Sequence, residues 1–518
     1  LLSETLSKSE SAMSDTAAVK KSQDADAAYQ ILSDDNVAYG YYTATLTVWD
    51  KDQEVATEKL REVIRIINGM GFTCVEESLN AVDAWVSSLP GQAYANVRMP
   101  LLHTLNLAHM LPFSSPWAGP EINKHLKAPV LFYAKTMGNT PFRFSNHIND
   151  VGHQLIIGPT GAGKSVLLNF MACQFLKYEN AFVSIFDQGG SFLASTRAVG
   201  GEYYEIGDPN VLVFQPLRNI DNKDELIWAM DWIIGLLSGQ NIDMNPDKKG
   251  LLWDALKNLS EVPADQRTLS GLQAFVQNED IREALNIYVV GGAYGELLDA
   301  VSKDIKHFHW QCFEMTRLLS MPEIIPPVLD YIFHTLEKRF DGRPVLLILD
   351  EGWAFLDHPL FLNKIKGWLK TLRKKNVSVI FATQSVDDLL NSSISTVMLE
   401  SCLSRVFLPN DRALEPKSRA SYEELGLNDQ QVQLIAHAQP KAQYYFESQK
   451  GNALFELGLG ALSLAVCGSS TPKDQRIVSK LYKENKNYLD FLKAFLKEKG
   501  LDQWVELIDS LTVDNKGR

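Results

Sequence analysis

A chain of 518 residues with 45% hydrophobic side chains can hold several domains with sizeable cores. Its net charge of −13 argues against a surface that coats nucleic acid and leaves only a local basic channel open. The five cysteines and ten histidines are scattered without CxxC or metal-ligand spacing, which reads as thiols in a reducing compartment, and no apolar run approaches the roughly 18 residues of a membrane span.

The first residue is Leu1 and no signal peptide is evident, so a longer protein that has lost its front is expected. Residues 1–35, rich in Ser, Ala, Lys and Asp, read as a polar helix or a tail. The alternating Tyr- and Thr-rich stretch Val37–Trp49 predicts a strand. An amphipathic helix follows with Leu60, Val63, Ile64 and Ile67 on one face, then a short strand over Phe72–Val75. This β-α-β pattern suits a small α+β domain. The proline-bearing stretch 84–125 reads as a connecting segment, so residues 1–127 form an N-terminal domain with its linker.

Ala128–Ala134 and Pro141–Phe144 predict a hairpin that opens a second domain. The apolar run Leu155–Ile157 then leads into Gly158-Pro159-Thr160-Gly161-Ala162-Gly163-Lys164-Ser165-Val166, and a helical pattern follows with Leu167, Leu168, Phe170 and Met171. Strand, glycine-rich loop and helix form the context in which GxxxxGKS binds nucleoside triphosphates. The glycines let backbone N–H groups turn toward phosphate, and the helix start adds its positive end. Lys164 is expected at the β- and γ-phosphates and Ser165 on Mg²⁺, which makes residues 158–166 the ATP site. A ligand-free glycine turn is the bland alternative, and the flanking strand and helix weigh against it.

Ala181–Phe186 is a second buried strand, ending in Asp187-Gln-Gly-Gly-Ser191, where open α/β sheets keep their ligands. Tyr203–Ile206 and Val211–Phe214 predict further short strands. From 221 to 299 the spacings of Trp228, Ile233, Leu236, Leu256, Leu272 and Leu285 predict a helical insertion. The sheet resumes over Lys306–Phe313, with His307 and His309 read as ordinary imidazoles, and a helix covers Ile324–Arg339.

Val345–Leu349 is a fully apolar strand that delivers Asp350 and Glu351. In this position Asp350 holds the Mg²⁺ shell and Glu351 polarises the attacking water. A surface strand that happens to end in two acids is the competing reading. The basic helix Phe361–Lys375 is expected to be a solvated face. The strand Val377–Ala382 carries Thr383-Gln384-Ser385 at its tip, where Gln384 can sense the γ-phosphate and position the water. Cys402–Leu408 is a last core strand, Asn452–Val466 a glycine-rich hairpin, and Lys473–Leu511 two or three amphipathic helices. The second domain thus occupies 128–220 and 300–470, interrupted by the insertion 221–299 and followed by helices over 471–518.

The succession GPTGAGKS, FDQGGS, FEM, LLILDEGW, LRKKN, FATQS, FLPN and YYFESQKGNALFELGLG resembles the conjugative-transfer and type IV secretion ATPases of the TrbE/CagE/VirB type, over roughly residues 30–470. Its most specific parts are LLILDEGW with Trp353, RKKN ahead of ATQS, and GNALFELGLG. The resemblance implies an α/β, RecA-like P-loop NTPase domain of the additional-strand class, with an inserted all-helical subdomain and a truncated α+β domain before it. It implies ATP and Mg²⁺ as cofactors and a hexameric ring, peripheral on the cytoplasmic face of the bacterial inner membrane, beside other inner-membrane and ATPase components. Pilus subunits or single-stranded DNA would be the cargo.

Carried over by residue, Lys164 and Ser165 match the phosphate-loop pair, Asp350 and Glu351 the acidic pair, and Gln384 the sensor. Ring motors take a cation from the neighbouring subunit. Arg373 is the first candidate, just ahead of the sensor strand, and Arg405 the second. One departure is Ala442, where another basic residue is expected. Two other functions compete: a DNA-pumping translocase of coupling-protein type, and a docking component whose nucleotide only stabilises the ring. The acidic charge and the lack of a membrane span weigh against the first, and Glu351 against the second.

Overall fold

The computed structural model describes residues 16–33, 37–69, 71–95, 98–111, 116–301, 308–351, 359–485 and 487–514, which fall into two units, Leu1–Ser115 and Pro116–Arg518. In the first unit, helices cover Thr16–Ser33, Gln53–Gly69, Ala81–Ser87 and Thr104–Met110. Two short strands, β1 (Tyr39–Tyr41) and β2 (Leu101–His103), pair antiparallel with Tyr39 opposite His103. The helix Gln53–Gly69 turns Leu60, Val63, Ile64 and Ile67 inward to half-burial while Arg61, Glu62 and Arg65 are exposed, as their spacing predicts.

Of two strands expected there, one is shortened and one is absent. Val37–Trp49 contributes only the three residues of β1, and Phe72–Val75 is not a strand. Its amides are satisfied locally: Phe72 N–H donates to Ile67 O and Cys74 N–H to Asn68 Oδ1. A segment whose donors close on the preceding helix has no ladder to join. The stretch 84–125 is also not one connector. Residues 101–110 hold β2 and a helix, while residues from 116 onward belong to the second unit, where Ala118 O accepts from Arg143 N–H.

The second unit is built on one sheet of β3 (Phe132–Thr136), β4 (Pro141–Phe144), β5 (Gln154–Ile157), β6 (Phe182–Asp187), β7 (Glu202–Glu205), β8 (Trp310–Glu314), β9 (Val345–Asp350), β10 (Val377–Thr383), β11 (Ser404–Phe407), β12 (Gln443–Ser448) and β13 (Gly451–Glu456). The order across it is β4-β3-β13-β12-β11-β5-β10-β9-β6-β8-β7. From β11 to β7 every pairing is parallel, and from β12 to β4 every pairing is antiparallel. β10, late in the chain, is wedged between β5 and β9.

Strand alternation gives the parallel region a buried core on each face. Leu155, Ile157, Leu347 and Leu349 face one core, shared with the helices between β7 and β8 and with Ile325–Glu337. Ile156, Leu346 and Ile348 face the other, beneath the helix Lys164–Phe175. Both faces being covered explains the unbroken apolar run of β9.

Between β7 and β8, helices span Lys223–Gly239, Pro246–Ser260, Leu269–Phe275, Glu279–Leu285 and Gly295–Leu298. The first four begin at Asn222, Asn245, Thr268 and Asn278, whose side chains accept from backbone amides of the first turn. The expected strand Val211–Phe214 is absent, because Phe214 N–H is taken by Leu297 O of this helical region instead of a strand neighbour. The expected hairpin Asn452–Val466 is displaced: the hairpin is β12–β13, and Ala461–Cys467 is a helix. Lys306 and His307 lie outside the described residues, as does Trp353. His309 precedes β8 and its ring bonds Val199 O at 3.1 Å. Three helices, Pro472–Glu484, Tyr488–Glu498 and Asp502–Asp514, complete the unit.

Candidate functional site

The parallel strands point their C-terminal ends to one edge, and the chemistry-bearing residues of β5, β6, β9 and β10 collect there. Gly158 opens the phosphate loop with its N–H on Thr383 O (3.0 Å), which ties the loop to β10. A Cβ at Gly158 would lie 2.3 Å from Leu408 Cβ, so only glycine fits. Gly161 and Gly163 have φ of 84° and 107°, which swings successive amides toward the concave side before the helix starts at Lys164. Ala162 N–H closes the turn on Pro159 O at 3.2 Å. Thr160, at the loop's exposed crest, donates its hydroxyl to Gln384 Oε1.

Lys164 is 8% exposed, and its Nζ lies 3.3 Å from Asp350 Oδ1 and in contact with Glu351 Oε1. The three groups form ion pairs without hydrogen-bond geometry, and their buried atoms Lys164 Nζ, Asp350 Oδ1 and Glu351 Oε1 have no hydrogen-bond partner. Burial lowers the pKa of Lys164, against the opposing pull of Asp350. Burial likewise raises the pKa of Asp350, opposed by Lys164. Glu351 sits in the left-handed region (φ 55°) with its N–H on Ala382 O (3.2 Å), so the acidic tip is pinned to β10. Orphaned charged atoms beneath a cradle of loop amides fit a triphosphate with Mg²⁺. Lys164 would meet the phosphate oxygens, and Ser165 with Asp350 the hard cation.

Asn169 and residues 441–444 of this edge were not legible in the sequence, whereas the polar cluster 187–191 was expected there. Asn169, fully buried one turn after Ser165, donates to Ser165 O (2.9 Å) and Ser191 O (3.2 Å) and accepts from Ser195 Oγ. Asp187 at the tip of β6 accepts from Ser191 Oγ (2.8 Å) and Phe192 N–H (3.1 Å). Burial, despite these bonds, pushes its pKa up to about 7, and the charges of Asp350 and Glu314 add to the rise. Lys441 N–H donates to Ala162 O (3.0 Å) and Tyr444 hydroxyl to Gly163 O (3.4 Å), so the start of β12 braces the loop. The missing base at Ala442 thus has Lys441 beside it, directly on the loop. A Gly-rich loop announces itself by composition, whereas these braces come from distant strands and carry no local signal.

The two arginines fare differently. Arg373 is exposed in the turn before β10, at the N-terminal end of a seven-residue strand, so it lies roughly 20 Å from the phosphate-loop edge of its own chain. Its charge acts instead on buried His153, ahead of β5. Arg405 on β11 is engaged within the chain, with Nε 2.8 Å from Glu447 Oε2 and a second nitrogen donating to Leu425 O at 2.6 Å.

Comparison with known proteins follows the same outline. Residues 2–98 match the CagE, TrbE, VirB family, component of type IV transporter system, and residues 138–231 and 272–449 match the TraG P-loop domain. The chain is similar to a probable conjugal transfer protein TrbE of Sinorhizobium fredii, at 40% identity over 86% of this chain and 69% of that protein. It is also similar to "Type IV secretion system protein virB4" of Bartonella henselae, at 26% identity over 89% of this chain and 59% of that protein. Against the second it therefore spans about three fifths of the relative's length. Among solved structures, VirB4 of Thermoanaerobacter pseudethanolicus superposes with a TM-score of 0.53 at 16% identity, covering 67% of this chain and 99% of that one, which establishes a shared α/β P-loop fold. Among the described residues no helix is long and apolar enough to cross a membrane.

Proposed function

Because the chain belongs to the TrbE/VirB4 family of type IV secretion and conjugal transfer proteins, we propose that it is the ATP-hydrolysing motor of such a system. It works as a hexameric ring on the cytoplasmic face of the inner membrane, against other components of the machine, and its turnover drives pilus assembly and substrate transfer. The observation that carries this reading is the convergence of Lys164, Asp350 and Glu351 at one buried point, under a loop tied to Gln384. The wedging of β10 between β5 and β9 supports the RecA-like, additional-strand assignment.

In this reading loop amides 161–165 and Lys164 hold the β- and γ-phosphates. Ser165 and Asp350 would hold Mg²⁺, which when bound would supply neutralising charge to the phosphates. Glu351 orients a water in line with the γ-phosphate and accepts its proton, and Gln384 holds the water from the other side. The products are ADP, phosphate and the proton that Glu351 releases. Arg373 cannot reach its own site, so a role in transition-state stabilisation is one played on the neighbouring subunit.

The test is Mg²⁺-dependent ATP hydrolysis in size-separated fractions of wild type, Glu351→Gln and Arg373→Ala, with and without single-stranded DNA. Hydrolysis in the hexamer, lost in Glu351→Gln with ATP still bound and indifferent to DNA, is the expected result. Partial rescue on mixing Arg373→Ala with Glu351→Gln would put the arginine in trans. ATP binding without turnover in any oligomer would overturn the motor reading.

A further inference from the structure

The turn ahead of β12 lies against the phosphate loop and holds a cation that the hydrolysis scheme does not use. Lys441 N–H donates to Ala162 O at 3.0 Å, and a Cβ built on Gly163 would stand 3.2 Å from Lys441 Cα. The turn is held on both sides. Ala442 N–H donates to Gln439 O at 3.3 Å, and Leu457 N–H donates to Ala442 O at 2.9 Å. The backbone of Lys441 is thus fixed on the loop. Its side chain is exposed, and among the described residues its ammonium has no ion-pair or hydrogen-bond partner.

The conformation of Lys441 is a second, independent observation. Its φ is 64°, where an L side chain crowds its own backbone and Gly or Asn is favoured. Of the eight non-glycine residues at positive φ among those described, five are Asn. The others are Lys127, Lys441 and Glu351, the acid of this same edge. Gly would relieve the strain and keep the N–H that braces the loop, so bracing alone does not account for a lysine.

Sheet order says which end of a nucleotide this cation meets. Asp350, Glu351 and Gln384, which address the γ-phosphate, stand at the tips of β9 and β10, on one side of β5. β11 and β12 lie on the other side, and β12 runs antiparallel to β11, so its start returns to the same edge. A triphosphate with its γ end toward β9 and β10 carries its α-phosphate and nucleoside toward Lys441. The four-carbon stem spans about 6 Å, and loop amides hold phosphate oxygens at about 3 Å, so the ammonium has the reach.

On the premise that the phosphate loop holds a nucleotide, as proposed, we infer that Lys441 binds its α-phosphate end. It is a second cation that tightens ATP and ADP alike and takes no part in cleavage.

The test is calorimetric titration of the full chain with Mg²⁺–ADP and with a non-hydrolysable ATP analogue. Wild type is compared with Lys441→Met, Lys441→Gly and Lys441→Arg. Met keeps the stem and the strain and loses the charge, whereas Gly relieves the strain and keeps the N–H. Both are expected to bind the two nucleotides about tenfold more weakly, by the same factor, while Lys441→Arg stays within about threefold. The loss should shrink in high salt, which screens a charge but not a backbone brace. Without nucleotide, Lys441→Gly should melt within a few degrees of wild type, which separates weaker binding from a damaged fold. In turnover KM for ATP should rise with kcat within about twofold, as for an interaction made equally in ground and transition states. Unchanged affinity in Lys441→Met and Lys441→Gly, or an equal loss in Lys441→Arg, would overturn the inference. So would a fall in kcat at constant KM, or a loss confined to the ATP analogue, since either puts Lys441 at the γ end. A wild type that binds neither nucleotide would overturn the nucleotide premise itself, and this inference with it.

Discussion

The hydroxyl of Thr160 donates to the side-chain carbonyl of Gln384, joining the crest of the phosphate loop to the tip of β10 within one chain. With its carbonyl so engaged, Gln384 keeps its amide nitrogen as the end that donates to a water. Gln384→Ala is therefore expected to lower kcat about 10- to 100-fold with nucleotide affinity nearly unchanged. Thr160→Val should cost less, since it frees the amide without removing it. Steady-state kinetics on the two variants separate these effects. A fall in affinity with kcat intact would mean that Gln384 only shapes the loop.

Removing the cation from the site should also weaken the fold. Lys164→Met leaves Asp350 and Glu351 without the charge that faces them, and Asp350 is only 4% exposed. The expected cost is about 3 kcal/mol, seen without nucleotide as a melting temperature several degrees lower. Glu351→Gln keeps Lys164 paired with Asp350 and should melt higher than Lys164→Met. Calorimetry on both, free of nucleotide, decides the ranking.

Gly158 is fixed by its neighbour rather than by φ. Gly158→Ala drives a methyl group against Leu408, and overpacking of this kind costs about 1–3 kcal/mol. Leu408→Gly removes the Cβ that the methyl group meets. The double variant is expected to recover some of the nucleotide affinity that Gly158→Ala loses, measured by titration. Two independent losses that simply add would show that the contact is not the cause.

The pH dependence of stability has a definite sign. Burial pushes His147 down to about 3 and His153 down to about 4, so both stay neutral in the fold while the unfolded chain protonates them near 6.5. A lowered histidine pKa contributes stability above the unfolded value, lost as pH falls toward the folded one. Asp187, raised to about 7, acts in the opposite sense and favours the fold as pH falls from there. These three groups together leave the unfolded state holding about one more proton, so stability should fall by about 1.4 kcal/mol per pH unit between roughly pH 6 and 4. Urea melts across that range measure the slope. Asp187→Asn should steepen it and His153→Asn should flatten it.

The phosphate loop and the acid-tipped strand are legible because each is a local pattern whose meaning does not depend on its neighbours. Pairing is not local. Phe72–Val75 and Val211–Phe214 have strand composition, yet Phe72 and Phe214 give their amides to Ile67 and to Leu297. The expected hairpin falls too late in the chain because glycines 458 and 460 look like a turn, while the reversal between β12 and β13 is at Gln449 and Lys450. At the site itself, nothing local marks Asn169 or Lys441. What they brace is decided by the turn after β6 and the start of β12.

The position of β5 has a consequence for how this chain is made. Both of its sheet neighbours, β10 and β11, begin more than 200 residues after it ends. At about 5–20 residues per second, a ribosome takes tens of seconds to deliver them. Through that interval the strand that leads into the phosphate loop has both edges open and its apolar side chains uncovered. The nascent chain therefore passes through a long stage at which aggregation competes with folding, and slower elongation past β5 lengthens the hazard.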